Sequence, residues 1–235
     1  MHVFKTAALL IALTASGAQA ATIYTETFSG QDNQGAIGST VDTSGVDWSI
    51  NLGDANLLND SDIFAVVGGA FTVNDTNAGC VNSACSGIRP DFADVVAPMW
   101  LSPIIDITSF NNIGFALDVF GSGGFEVTGG VGAQDTFLID LLIDGISILQ
   151  TDILAALTSD QVDDGFDFNL SDGLGDITGA TAQFKVTANT YAAAEVLTFD
   201  NVTLTGDPVA PVPLPASGLM LVAALGALGM RRRKG

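Results

Sequence analysis

An all-β fold, a β-sandwich of jelly-roll type, is what this 235-residue sequence predicts. Three features point to it. Short segments rich in Val, Ile, Phe and Thr alternate apolar with polar residues, clusters of Gly, Asn, Asp and Ser separate them, and helical periodicity is nearly absent. Strands are expected at 22–28, 46–52, 63–67, 70–74, 99–107, 113–120, 136–144, 146–150, 166–170, 181–188 and 195–205. Only 152–157 reads as a helical turn or two.

Several strands also declare their orientation. Ile113, Phe115, Leu117 and Val119 share one parity, as a strand with one buried face requires. The segment 136–144 is apolar on both faces, with Phe137, Ile139, Leu141 and Ile143 opposite Leu138 and Leu142, which predicts a central strand with further protein over its second face. In the last strand Leu197 and Phe199 hold one parity while Val202 and Leu204 hold the other. A one-residue bulge at Asp200-Asn201 would bring all four to the core and re-aim Asp200.

Both ends read as targeting segments around a domain at 21–207. Residues 1–20 combine Lys5, an apolar run over 7–15 and the small residues Gly17-Ala18-Gln19-Ala20, the pattern of a secretory signal peptide cleaved after Ala20. After a linker at 208–211, the tail 212–235 opens with Val212-Pro213-Leu214-Pro215-Ala216 and closes with Arg231-Arg232-Arg233-Lys234. The apolar residues between, about 17 of them, form a single transmembrane helix just long enough for a hydrocarbon core near 30 Å. The four cations would hold that end in the cytoplasm and leave the domain outside. This three-part tail resembles the VPLPA variety of PEP-CTERM sorting signals of biofilm-forming Gram-negative bacteria. The resemblance implies an exosortase-type membrane enzyme as partner, cleavage near 213–216, and delivery to the cell surface or beyond. A plain C-terminal membrane anchor is the competing reading.

Charge narrows the partners. The chain has 26 acidic and 7 basic residues for a net charge of −19. Lys5 and the four terminal cations belong to the ends, so the body keeps Arg89 and Lys185, and 2 minus 26 gives −24. A nucleic-acid partner is excluded, because phosphate neutralisation needs clustered Lys and Arg. So many carboxylates serve either as a solubility coat or as ligands for divalent cations such as Ca²⁺.

Export favours a disulfide between Cys80 and Cys85, the only cysteines, which lie in a turn-rich segment. Zinc is a poor rival, since four ligands are needed and the single His lies in the signal peptide. The same lack of His excludes Ser-His-Asp and Cys-His catalysis in the mature chain.

The body resembles glycan-binding and adhesion jelly rolls, including lectin-like and MAM modules, at Glu26-Thr27-Phe28, Met99-Trp100-Leu101-Ser102-Pro103, Ile143-Asp144-Gly145 and the closing strand over 197–206. The resemblance implies that first and last strands lie together with a structural Ca²⁺ held by carboxylates and backbone carbonyls. Glu26, on the parity of Tyr24 and Phe28, and Asp200 at the bulge, with Asp32 or Asn33 from the next loop, are the candidate ligands. Alternatively, Glu26 ends its strand and accepts hydrogen bonds from loop amides. Trp48 and Trp100 are candidates for a sugar-stacking platform or for the core. The function expected is that of a non-catalytic surface or matrix protein, associated with glycan or exopolysaccharide in adhesion or biofilm. A glycan-active hydrolase using paired carboxylates is the alternative.

Overall fold

A computed structural model describes residues 20–78, 95–126, 135–158, 161, 164–175, 177 and 179–209. The expected signal peptide, apart from Ala20, the expected sorting tail, Cys80 and Cys85 lie outside the described residues. Gln19–Pro208 forms one compact unit. Its strands are β1 (Ala21–Glu26), β2 (Gly35–Ile37), β3 (Thr40–Asp42), β4 (Ser49–Asn51), β5 (Ile63–Val67), β6 (Ala70–Asn74), β7 (Met99–Leu101) and β8 (Ile105–Asp106). There follow β9 (Phe110–Ser122), β10 (Thr136–Ile143), β11 (Ile146–Asp152), β12 (Phe166–Gly173), β13 (Thr181–Asn189) and β14 (Val196–Pro208).

All the pairings are antiparallel and fall into two sheets. The larger runs β12-β9-β14-β6-β5-β2-β3 with β1 added to β14, and the smaller runs β11-β10-β13-β7-β4 with β8 added to β13. The expected helical turn is a 3₁₀ turn at Leu154–Ala156. The chain is thus an all-β sandwich.

Aromatic side chains join the two sheets. Phe199 of the larger sheet meets Trp100 of the smaller edge-on at 5.3 Å between ring centres, and Phe115 meets Phe184 at 6.2 Å. Phe28 and Phe71 complete the cluster, each fully buried. Trp48 and Trp100 are 3% and 0% exposed, so neither offers a face to a sugar and the platform reading is corrected to core. Burial of such rings is the largest stabilising contribution a side chain makes.

β14 carries the predicted bulge. Its register against β9 shifts between Asp200 and Thr203, Asn201 has a φ of 51°, and Leu197, Phe199, Val202 and Leu204 are all buried. The bulge marks a seam. Before it β14 pairs with β6 through residues 196–199, and after it with β1 through residues 202–206.

Three departures from expectation have local causes. β2 and β3 escape a pattern search because each is three residues long. Gly35 opens β2 because a Cβ there would lie 2.5 Å from the Ala65 Cα across the sheet. The expected strand 99–107 is split into β7 and β8 around Pro103, which has no N–H for the ladder. Ser102 bridges the gap, since its Oγ accepts from the N–H of Phe184 at 2.9 Å. Finally, the second face of β10 is covered by side chains of neighbouring strands. Asp140, fully buried between Leu138 and Leu142, pairs with Lys185 of β13 at 2.8 Å and accepts from Ser147 and Gln150 of β11.

Candidate functional site

Of the residues singled out in the sequence, Glu26 and Asp200 are neighbours at the β1–β14 seam. Glu26 sits at the end of β1, where its Oε1 accepts from the N–H of Phe28 at 2.8 Å and from Nε2 of Gln31 at 3.0 Å. The turn-capping arrangement therefore describes Glu26. Asp200 has a buried oxygen, Oδ1, with no hydrogen-bond partner. Burial raises its carboxyl above the usual range, and the nearby charges of Asp118 and Glu26 raise it further. Asp32 accepts from the N–H of Gly69 in the β5–β6 hairpin, and Asn33, with a φ of 70°, donates its N–H to the carbonyl of Val66.

A second carboxylate group lies at one end of the sandwich, where both sheets meet. Glu126 follows β9, Asp135 precedes β10, and Glu195 precedes β14. Each offers an oxygen within 4.8 Å of the other two. Asp135 and Glu195 are only 6% and 3% exposed, while Glu126 is open to solvent.

Backbone geometry builds this group. The N–H of Glu126 donates to Oδ2 of Asp135 at 2.7 Å, and the N–H of Asp135 donates back to the carbonyl of Glu126. The N–H groups of Tyr191 and Ala192 both donate to Oε2 of Glu195, and Asn74 of β6 donates Nδ2 to its carbonyl at 2.7 Å. Gly123, at a φ of 117°, lets the chain leaving β9 pass tightly against Ala194 and Glu195. A Cβ there would lie 2.5 Å from the Ala194 carbonyl oxygen. Phe125, buried against Phe166 at 5.9 Å, holds the segment down.

Electrostatically the group is unbalanced. Burial, followed by the charge of Glu195, pushes the carboxyl of Asp135 up to about 8. Burial also raises Glu195 despite its two amide donors. Lys185 is the only basic side chain among the described residues, and it is engaged with Asp140. Only Glu195 among the three falls within a predicted strand. The usable sequence signal was that Asp135 stands immediately before an expected strand and Glu195 opens one.

The outward face of the larger sheet carries a different chemistry. Phe120 of β9 is 41% exposed and lies between Asp167 of β12 and Thr198 of β14. The next row places Asp118 between Asn169 and Asp200. Asp118 accepts from Asn169 at 2.9 Å and from Asn201 at 2.6 Å, and these two bonds hold its carboxyl below the usual range. One aromatic ring and a set of carboxylate and carboxamide groups thus share the outward face of the sheet. Among the described residues no helix is long and apolar enough to cross a membrane.

No protein-family model matches the sequence, and no curated protein matches it. Solved structures with similar folds include a CBM4 module, 13% identical over 78% of this chain and 97% of its own, at a TM-score of 0.42. The xylan-binding module CBM15 is 15% identical over 83% of this chain and 100% of its own, at 0.35. The Stig cyclase Fisc from Fischerella sp. TAU is 14% identical over 81% and 100%, at 0.42. Fold alone does not fix function, which has to be argued from the sites.

Proposed function

We propose that the chain is an exported, non-catalytic surface or matrix protein whose larger sheet holds a polysaccharide on its outward face. The observation that carries this reading is Phe120, an exposed ring on the outward strand face flanked by Asp118, Asp167, Asn169 and Thr198. A pyranose ring presents an apolar face to stack and hydroxyls to hydrogen-bond, and this surface offers both partners. A body charge of −24 repels anionic polymers, so neutral polysaccharide is the ligand class. The signal peptide at 1–20 would carry the domain out. The Val212-Pro213-Leu214-Pro215-Ala216 tail, its single transmembrane helix and Arg231 to Lys234 would hold it at the membrane until an exosortase-type enzyme releases it to the surface, for adhesion or biofilm.

Affinity electrophoresis in gels cast with neutral and acidic polysaccharides tests the reading. Retardation by at least one neutral polymer is expected, weakened about tenfold, or 1.4 kcal/mol, by Phe120→Ala. Equal mobility in every polymer, or retardation indifferent to Phe120→Ala, would remove the proposal.

One observation favours a glycan hydrolase as the second reading: a carboxyl raised to about 8 beside a second carboxylate has the form of a general acid and its partner. Against it, Asp135 and Glu195 are too deeply buried for a sugar to reach. Release of reducing ends that is lost in Asp135→Asn would favour the enzyme.

A further inference from the structure

We propose that Glu126, Asp135 and Glu195 bind one divalent cation of the size and hardness of Ca²⁺, tying the chain after β9 and the start of β10 to the start of β14. This site is separate from the polysaccharide face and stands or falls without it.

Three observations converge. The three carboxyl groups bring oxygens within 4.8 Å of one another, inside the roughly 4.6–5.2 Å span of oxygens across a Ca²⁺ ion at twice its usual Ca–O distance. The donors are all carboxylate oxygens, the hard ligands that Ca²⁺ and Mg²⁺ prefer over transition metals. Independently of the clustering, Oδ1 of Asp135 is buried and has no hydrogen-bond partner, although the residue is more than nine-tenths buried and its other oxygen is well bonded. An orphaned buried oxygen is costly, and more so when the group is charged.

No basic side chain among the described residues is free to balance the ionised group. Lys185 belongs to Asp140, and the groups facing Asp135 are the acidic Glu126 and Glu195. The site is also held in place before any ion arrives. Amides fix one oxygen each of Asp135 and Glu195, and Gly123, Phe125 and Asn74 hold the backbone, so binding needs little reorganisation. Glu126 is the solvent-exposed member of the three.

The test uses the full chain, purified in mild detergent and stripped with a chelator. It is titrated with Ca²⁺, with Mg²⁺, and with NaCl at matched ionic strength, following melting temperature and, by equilibrium dialysis, Ca²⁺ bound per chain. The expected result is one strongly bound Ca²⁺ and a rise of about 5–10 °C at a hundredfold excess over Kd, beyond the effect of salt. Asp135→Asn and Glu195→Gln should remove the rise. Glu126→Gln, at an exposed position that leaves the fold intact, should weaken binding about tenfold or more. A Ca²⁺ response no larger than that of salt, or one that survives in Glu126→Gln and Asp135→Asn, overturns the proposal. So does a response lost instead in Glu26→Gln or Asp200→Asn, which would place the ion at the β1–β14 seam.

Discussion

Carboxylates are met differently at the β1–β14 seam and at the end of the sandwich. At the seam, Glu26 is satisfied by the amides of Phe28 and Gln31 and needs no counter-charge. At the sandwich end, Asp135 and Glu195 receive amide bonds on one oxygen each, yet face each other and Glu126 with no basic partner described. On β10, Asp140 takes the third route, a lysine ammonium at 2.8 Å. In a body with two basic residues, a buried carboxylate can be neutralised by its own Lys, by a proton, or by an ion from outside.

The largest expected effect comes from removing the lysine solution. Lys185→Met leaves Asp140 buried and unpaired, and should cost about 3 kcal/mol in urea denaturation, with Asp140→Leu in the same chain recovering most of it. A loss below about 1 kcal/mol would mean that this interior tolerates an unpaired carboxylate, which would weaken the contrast with the sandwich end.

Gly123→Ala should cost about 2 kcal/mol, because the new Cβ meets the Ala194 carbonyl at a φ that L residues rarely adopt. The same shift would part Glu195 from Glu126 and shrink any Ca²⁺ increment, an outcome that thermal melts with and without Ca²⁺ would register.

The pH dependence sharpens the comparison further. In chelator-treated protein the folded state holds the Asp135 proton up to about pH 8, whereas the unfolded chain releases it near 3.9. A raised folded value means that stability is full below about pH 4 and declines as pH rises toward 8, by at most about 1.4 kcal/mol per pH unit. Asp135→Asn should flatten that decline, as denaturation midpoints at several pH values would show. Glu26→Gln should change stability least, within about 0.5 kcal/mol, since its amide oxygen still accepts the same two donors.

Much of the sandwich was legible because its long strands alternate strictly. The mismatch of parity between Leu197-Phe199 and Val202-Leu204 even located the bulge in β14. Short elements were not. β2 and β3 take their conformation from pairing with β5 and with each other rather than from any pattern of their own. The candidate cation site was hidden for a related reason. Glu126, Asp135 and Glu195 share no motif and are gathered only because the ends of β9, β10 and β14 meet at one end of two different sheets. Glu26 drew notice through its aromatic neighbours, and what those could not reveal was that Gln31 and the Phe28 amide would satisfy it.

The cation account is tested most directly by locating the ion. Crystals of the protein grown with Ca²⁺ and measured at long wavelength would show calcium by its anomalous scattering. The account predicts one peak within bonding distance of Asp135 Oδ1 and of carboxylate oxygens from Glu126 and Glu195. A peak beside Glu26 and Asp200 instead, or an ordered Asp135 and Glu195 with no peak between them at saturating Ca²⁺, would contradict it.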